Sequence, residues 1–536
     1  MTGLLEDASF NQSPAFENVD LFSSDRPLAD AAARYGLDSA SLSDFGRDYG
    51  SSETLELGRL ANENPPKLRI MDAKGNRIDR VEFHPAYHAL MAKTIGYGVH
   101  ASVHDGSEPR GAMTQRAARL YMATQAEAGH ICPVTMTHAS LGSLASAPDV
   151  LAQWRPKILS RSYDPAQRPW WEKAGATIGM GMTERQGGTD VRANITEAHA
   201  QGDHVEITGH KWFMSAPMCD GFLVLAQAPA GLTCYLTPRF RPDGSINGLR
   251  FQRLKDKLGN KSNASSEVEF HRAYAQRIGP EGVGVRTIIE MVQLTRIDCA
   301  VGSAGLMRIA LAQALHHIRH RSVFQRKLAD QPAMRAVAAD LALEMEAQTA
   351  LVMRLAHAAD ANDKDWLRLL TPAIKYFVCK SAPAFVYETL ECLGGNGYSE
   401  ELPMARYFRE SPLNAIWEGS GNVMALDILR AAARAPDEAR RVIAGLAQRA
   451  GEAFDSAPLA GEIERLLLSG EAERRARFIC EGLARLAAVA TLVEARSPFA
   501  SLYARARLNG AHMANYGAQD LGFADETKLM ERALAM

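Results

Sequence analysis

A glutamate set between bulky apolar residues and a glycine-rich run is the residue of this 536-residue chain best placed to do chemistry. In Ile416-Trp417-Glu418-Gly419-Ser420-Gly421-Asn422, apolar neighbours disfavour the charged form of Glu418, raising its pKa toward the range useful to a general base. The same residue also reads as a carboxylate favoured by the dipole at the start of a helical run, Val423 to Arg430. Both readings stay open on the residues alone. Upstream, Gly181-Met182-Thr183-Glu184-Arg185-Gln186-Gly187-Gly188-Thr189-Asp190 combines small residues, which let backbone approach a flat or anionic ligand, with the Thr183 and Thr189 hydroxyls. A glycine turn stabilised by its own Thr and Asp side chains explains that stretch equally well. In His210-Lys211-Trp212-Phe213-Met214-Ser215 the Trp-Phe pair could wall an apolar ring system and Ser215 could bond a heteroatom. The alternative is a core strand with its aromatics packed inward.

Other chemistries are excluded or weak. His316 and His320 stand four apart on a helical run, but no third ligand accompanies them, so no metal site is expected. No G-x-G-x-x-G, G-x-S-x-G or G-x-x-x-x-G-K-[ST] occurs, which argues against nicotinamide-dinucleotide, hydrolase and nucleotidase sites. A net charge of -2 gives no whole-chain attraction to polyanions, so any nucleic-acid site must be a local patch.

Seven cysteines without a C-x-x-C pair fit neither a disulfide framework nor a zinc ribbon. Met1 to Asp25 holds no Lys or Arg, so a secretory signal is not supported. The strongest apolar stretch, Leu486 to Val493, is too short to span a bilayer. A soluble, cytoplasmic protein without membrane attachment is the expectation.

The elements that must position these residues divide the chain four ways, as an α+β protein. Residues 1–177 begin with a punctuated stretch to about residue 75, expected to be extended, and turn helical from His84, with Ala117, Leu120, Tyr121 and Thr124 on one side. Residues 178–276 hold β-prone runs such as Val205-Glu206-Ile207-Thr208 and Phe222-Leu223-Val224-Leu225, predicting a compact β unit. Residues 277–435 read as a helical bundle, with Pro332, Pro372, Pro383 and Pro412 marking starts or breaks. Residues 436–536 read as an added helical domain. From residue 427 to the end, fifteen basic residues balance fifteen acidic ones, and all but one of the basic residues are arginine.

Taken in this order on an α-β-α plan, the three segments resemble the acyl-CoA dehydrogenase family. The resemblance implies an N-terminal α-helical domain, a central β-barrel-like domain and a helical bundle, here with an extra C-terminal helical domain. Met182-Thr183-Glu184 through Asp190 is similar to the family's flavin-side signature, and Trp212-Phe213-Met214-Ser215 to the strand flanking the flavin ring. The resemblance thus assigns Met180, Gly181, Met182, Thr183, Gly187, Gly188, Thr189 and Trp212, Phe213, Met214 and Ser215 to FAD. Arg321-Ser322-Val323-Phe324-Gln325 with Gln331 resembles a stretch that reaches the FAD of a neighbouring subunit, with Gln325 in place of the usual Gly. It assigns Arg321, Phe324 and Gln331 to the cofactor.

Glu391-Cys392-Leu393-Gly394-Gly395-Asn396-Gly397-Tyr398 resembles the turn whose glycines (here Gly394, Gly395 and Gly397) approach the FAD pyrophosphate, with Glu391 in place of a Gln. Trp417-Glu418-Gly419-Ser420 matches the pattern supplying the catalytic base, so Glu418 inherits that role, and Ile416, Trp417, Gly419, Ser420, Gly421 and Asn422 join the cofactor set. The resemblance implies a homotetramer and oxidation of an acyl-CoA.

Leu55-Glu56-Leu57-Gly58-Arg59-Leu60-Ala61-Asn62, Cys132-Pro133-Val134-Thr135-Met136-Thr137 and Lys255 through Asn263 are similar to the family's adaptive-response subgroup. That likeness implies binding of double-stranded DNA and defence against alkylating agents, with weak isovaleryl-CoA-like dehydrogenase activity. Arg430 is the DNA-contact position that transfers. Arg505 and Arg507 are further candidates for a basic patch. The alternative expectation is a metabolic short- or branched-chain acyl-CoA dehydrogenase with Glu418 as base.

Overall fold

The computed structural model describes residues 11–108, 110–202, 204–509 and 513–535. The chain opens with helices α1 (Arg26–Tyr35), α2 (Ser39–Tyr49) and α3 (Ser52–Glu63), strands β1 (Lys67–Met71) and β2 (Arg77–Glu82), and helices α4 (Pro85–Gly96), α5 (Ala112–Ala126), α6 (Ile131–Leu144) and α7 (Pro148–Ile158). Strands β3 (Ile178–Gly181), β4 (Glu197–Gln201), β5 (His204–Ser215), β6 (Gly221–Ala228), β7 (Gly231–Pro238), β8 (Leu249–Leu254) and β9 (Ser265–Ile278) follow. Next come α8 (Gly284–His320), the short strands β10 (Ser322–Val323) and β11 (Arg326–Lys327), α9 (Pro332–Asp360), α10 (Lys364–Glu391), α11 (Gly395–Tyr398), α12 (Met404–Glu410) and α13 (Gly421–Arg434). The tail holds α14 (Pro436–Ala450), α15 (Ala457–Leu467), α16 (Ala476–Glu494), α17 (Ala500–Leu508) and α18 (Phe523–Ala533).

These elements form two compact units. One comprises the described residues of Met1–Leu55, Pro109–Ala126 and Arg296–Met536, the other those of Glu56–Glu108 and Glu127–Thr295.

The second unit is built on the sheet. Its strands run β3-β6-β4-β5-β9-β7, and β7 also pairs with β6, so the path closes on itself as a barrel with β3 and β8 attached. Closure removes the exposed edges that an open sheet would leave. β6 shows why so short a strand is stable: Gly221 to Ala226 are all buried, as expected of a strand covered on both faces. Helix α6 packs on β3, where Thr137 Oγ1 accepts a 3.0 Å bond from the Ile178 amide. The hairpin β1–β2 was not foreseen from the sequence. Arg77 ties it to the barrel by donating to the Phe251 carbonyl at 2.7 Å.

In the first unit, the long helices α9 and α10 pack with each other, α10 packs on α13, and α5 lies against α9. Every residue of α5 from Met113 to Ala126 is buried, so the one-sided pattern read from its sequence understates its burial. Its one charge at full burial, Arg116, meets Asp298 through two bonds of 2.6 and 2.7 Å, the bidentate geometry that makes a buried guanidinium tolerable. The tail helices do not stand apart: α16 packs on both α9 and α10, and α18 on α9, within the same unit.

Two expectations are corrected. The N-terminal stretch is not extended but holds α1, α2 and α3, two of them capped by Asp25 and Asp38 accepting from the Leu28 and Ser41 amides. Helices this short do not repeat an apolar pattern long enough to register, and caps plus burial of Leu28, Leu42, Phe45 and Tyr49 sustain them. Pro332 does start α9, but Pro372 and Pro383 lie inside α10, which continues through them. A buried helix held by neighbours on several sides can carry the lost N–H bond that would break an isolated one.

All seven cysteines are buried free thiols. Among the described residues no helix is long and apolar enough to cross a membrane.

Candidate active site

In the barrel unit, β3 delivers a turn and β5 an aromatic strand end to the same place. The Trp212 amide donates to the Thr183 carbonyl at 2.8 Å, and a side chain at Gly181 would stand 3.2 Å from Met214 Sδ. Met180, Gly181 and Met214 are buried, Met182 and Thr183 half-buried, and Gly187, Gly188 and Thr189 exposed. Glycine at 188 is dictated by space: a Cβ there would lie 2.3 Å from Thr183 Oγ1. Phe213 is 51% exposed and Trp212 half-buried, so this strand end does not pack its aromatics inward. Lys255 Nζ lies 3.6 Å from the centre of the Trp212 ring, a cation over an indole face. Ser215 Oγ sits 3.3 Å from Ser265 Oγ.

The anchor of this turn escaped the sequence reading. Glu184 and Lys211 are both fully buried and meet at 2.7 Å. Glu184 also accepts from the Ile195 and Thr196 amides at 2.7 and 3.2 Å, and Lys211 donates to the Leu225 carbonyl at 2.8 Å. Burial raises the Glu184 pKa, but Lys211 and the bonded donors outweigh it and hold the carboxyl at about 2. Burial brings Lys211 down to about 8. Their only signal was a Lys within a β-prone run and a Glu within a glycine-rich turn.

A second buried carboxylate, Glu127, accepts from the Gly129 and His130 amides, Ser262 Oγ, Asn62 Nδ2 and His130 Nδ1 at 2.7 to 2.9 Å. Burial again raises its pKa, and His130 above all brings it to about 2.

In the helical unit, Ile416 to Asn422 form the loop entering α13. Glu418 is half-buried and takes a left-handed backbone, φ 58, followed by Gly419 at φ 101. The left-handed region costs a residue with a Cβ roughly 1–2 kcal/mol, so the surroundings must fix it. They do so through carbonyls: Lys375, on α10, donates to Trp417 O at 2.8 Å and to Gly419 O at 2.6 Å. Arg296, on α8, donates to Glu418 O at 3.1 Å while its other nitrogen meets Asp427 at 2.8 Å. Trp417 Nε1 donates to Asn414 at 2.7 Å, and Arg477 donates to Asn422 at 2.8 Å. Ser420 is the N-cap residue of α13, without a side-chain cap bond, and Gly421 lies beside Tyr376.

Ile416 is 63% exposed and Trp417 half-buried, while Met424 and Val423 stand beside Gly419, and Lys375 and Arg296 bond the loop carbonyls. Glu418 stands three residues before Gly421, the first residue of α13.

The remaining cofactor candidates lie in the same unit. Arg321 donates to the Asn11 carbonyl at 2.6 Å, and the Asn11 side chain clasps Ser322 on both its N–H and its carbonyl. Phe324 and Gln325 turn the β10–β11 hairpin with φ of 51 and 65, leaving Phe324 90% exposed. Gln331 steadies it by donating to the Val323 carbonyl at 3.0 Å. Gly394, at φ 60, and Gly395 face open space, whereas a side chain at Gly397 would collide with the Leu390 carbonyl. Asn11, Lys375 and Arg296 were not singled out from the sequence. Lys375 alone had a legible signal, a charge within the apolar run Ala373 to Val378.

Of the proposed basic positions, Arg430 and Arg505 are exposed. Arg507 is a correction: it is buried, with Asp340 at 2.5 Å and Glu344 at 2.7 Å, and offers no surface charge. His316 is buried and bonds the Pro14 carbonyl at 2.9 Å.

The closed barrel with its aromatic strand end and the helical bundle with its glutamate loop are the domains of a flavoprotein dehydrogenase, as the family matches show. Models of the acyl-CoA dehydrogenase middle and C-terminal domains match residues 179–273 and 282–433, and that of the adaptive response protein AidB N-terminal domain matches residues 11–165. The chain belongs to the acyl-CoA dehydrogenase family, and within it to the AidB-like branch. It is 48% identical to AidB of Escherichia coli (strain K12) over 78% of this chain and 79% of that one. It is 31% identical to acyl-CoA dehydrogenase family member 11 of Caenorhabditis elegans, over 73% of this chain and 66% of that one.

Among solved structures, Bd2924 in its apo form aligns with a TM-score of 0.82 at 27% identity, over 90% of this chain and 99% of that one. Caenorhabditis elegans ACDH-11 in complex with C11-CoA aligns with a TM-score of 0.83 at 25% identity, over 98% and 92%. The family fixes the cofactor and the reaction class: this is an FAD-dependent oxidoreductase acting on CH–CH bonds.

Proposed function

We propose that this protein is an FAD-containing, DNA-binding member of the adaptive response to alkylating agents. It protects double-stranded DNA in the cytoplasm by shielding it or by inactivating alkylators, and keeps a weak dehydrogenase activity on an isovaleryl-CoA-like thioester. The observation that carries this reading is the 48% identity to AidB, joined to the match of the AidB N-terminal domain over residues 11–165.

The residues present suit a flavin. In the barrel unit, the Thr183–Gly188 turn is open on the Cβ side of Gly187, and the half-buried Trp212 and exposed Phe213 lie on the strand end bonded to it. These residues would hold the ring system; in the helical unit, Gly394 and Gly395, open on their Cβ side, suit a pyrophosphate. FAD, when bound, accepts the hydride that leaves the substrate's β carbon. Glu418 takes the proton from the carbon α to the thioester carbonyl. Lys375 and Arg296 hold the loop that carries it, and the Gly419 kink turns the chain into α13. The homotetramer is proposed from the likeness of the Arg321–Gln331 and Gly394–Gly397 segments to those that serve a cofactor shared between subunits.

Arg430 and Arg505 are the proposed phosphate contacts. The test is electrophoretic mobility of duplex DNA with the holoprotein across a salt series. Binding at low salt that weakens linearly in log–log form is expected, and absence of binding at low salt sinks the reading.

A second reading, a metabolic acyl-CoA dehydrogenase, draws on the intact Glu418 loop and on the C11-CoA complex of the ACDH-11 relative. Fast turnover with an artificial electron acceptor, abolished in Glu418→Gln, together with no DNA binding, would favour it.

A further inference from the structure

Lys375 is 1% exposed, at the middle of α10 within the buried run Ala373 to Val378. Removing an ammonium from water is costly unless its protons find strong acceptors. Here two of them go to one loop, to the carbonyls of Trp417 at 2.8 Å and Gly419 at 2.6 Å. The residue between those two carbonyls is Glu418.

We propose that Lys375 is a positioning residue for Glu418, which sets the direction in which the carboxylate leaves its loop; this rests on the reading of Glu418 as the base. The reason is geometric. The carbonyls of Trp417 and Glu418 belong to the two peptide planes that meet at the Glu418 Cα. The first is tied to Lys375 and the second to Arg296 at 3.1 Å. With both planes fixed, φ and ψ of Glu418 are fixed, and so is its Cα–Cβ bond.

The bond from Lys375 to Gly419 O locks the next peptide as well, so the chain cannot relax the unfavourable φ of 58 at Glu418 by rotating about Gly419, itself at φ 101. Arg296 shares its charge with Asp427, which also receives two bonds from Arg368 at 2.8 and 3.1 Å. That carboxylate anchors Arg296 against α13, whereas Lys375 gives two bonds directly to the loop. Lys375 touches neither substrate nor the reacting atoms in this scheme; it acts through the backbone of the residue that does.

The test compares Lys375→Met, Lys375→Gln and Lys375→Arg with Glu418→Gln in the full-length protein. Turnover of isovaleryl-CoA with an artificial electron acceptor is measured in the FAD-loaded form. Hydrogen–deuterium exchange of the peptide spanning residues 413–422 is measured in the FAD-free form. Misplacing a reacting group by about 1 Å can cost roughly 100-fold. Lys375→Met is therefore expected to lose about 100-fold in kcat with KM within about threefold of the native value, and to exchange the loop amides faster. Lys375→Arg, which keeps a charged donor, should recover part of kcat and of the protection.

Should Lys375→Met fail to fold, the Gln variant decides in its place. A folded Lys375→Gln protein with native kcat and native exchange, beside an inactive Glu418→Gln, overturns the inference and leaves Glu418 as the base. An active Glu418→Gln protein overturns the base reading instead, and the exchange data still decide whether Lys375 holds the loop.

Discussion

Lys211 Nζ lies 2.7 Å from Glu184 Oε1, with neither side chain exposed. This contact fixes the turn after β3 to the strand whose end carries Trp212 and Phe213. Removing one partner leaves the other charge buried without compensation, which costs about 3–5 kcal/mol. Glu184→Gln should lower stability by that order at pH 7 in denaturant unfolding. Lys211→Met together with Glu184→Leu should be milder than either single change. Additive losses in the double variant would show that the two residues are not coupled.

Acid should unfold the barrel unit through its buried carboxylates. Glu184 and Glu127 are each held at about 2 against an ordinary value of 4.5. A lowered folded-state pKa contributes stability that is complete above 4.5 and lost as pH falls from there toward 2. The melting temperature should drop across that window. Glu127→Gln should start lower at neutral pH and show a shallower drop. A variant that parallels the native curve would remove Glu127 from the account.

Gly188→Ala should impair flavin binding more than folding. Its Cβ would meet Thr183 Oγ1 at 2.3 Å, so the threonine must turn or the backbone must move, and overpacking of this kind costs about 1–3 kcal/mol. The ratio of flavin to protein absorbance after purification, and titration with added FAD, report the effect. Full occupancy with native affinity would mean that the turn does not face the cofactor.

DNA binding should depend on Arg430 and not on Arg507. Arg430→Ala removes an exposed charge, so affinity should fall for every sequence and the salt slope by about one. Arg507→Met should instead destabilise the fold, by about 3–5 kcal/mol, because Asp340 and Glu344 lose their buried partner. Under conditions where it is folded, its DNA affinity should match the native protein. The reverse pattern would place the contact surface elsewhere.

The fold was legible where local pattern and burial agree. Runs such as Phe222 to Leu225 are apolar throughout because β6 is covered on both faces, and the long helices repeat over enough turns to show their period. The short helices α1 to α3 were not legible, since ten to twelve residues give little periodicity and their stability comes from caps and from partners distant in sequence. Pro383 misled because a proline is read against an isolated helix, whereas α10 is packed against α9, α13 and α16.

At the site, the glycines and the glutamate were visible as residue types. What holds them was not: the acceptors of Lys375 lie 42 and 44 positions away, and Asn11 meets Ser322 across 311. Arg507 shows the opposite failure. Two arginines two apart look alike in sequence, but on α17 one faces solvent and the other faces the carboxylates of α9.

The burial of all seven thiols bears on a protein proposed to work among electrophiles. Sulfur attacks alkylating reagents as the thiolate, and desolvation pushes the thiols of Cys219, Cys234, Cys299, Cys379, Cys392 and Cys480 upward. An alkylator diffusing over the native surface therefore meets no exposed thiol among the described residues. Its cysteines become open to the reagents it is proposed to confront only in the moments when the fold opens.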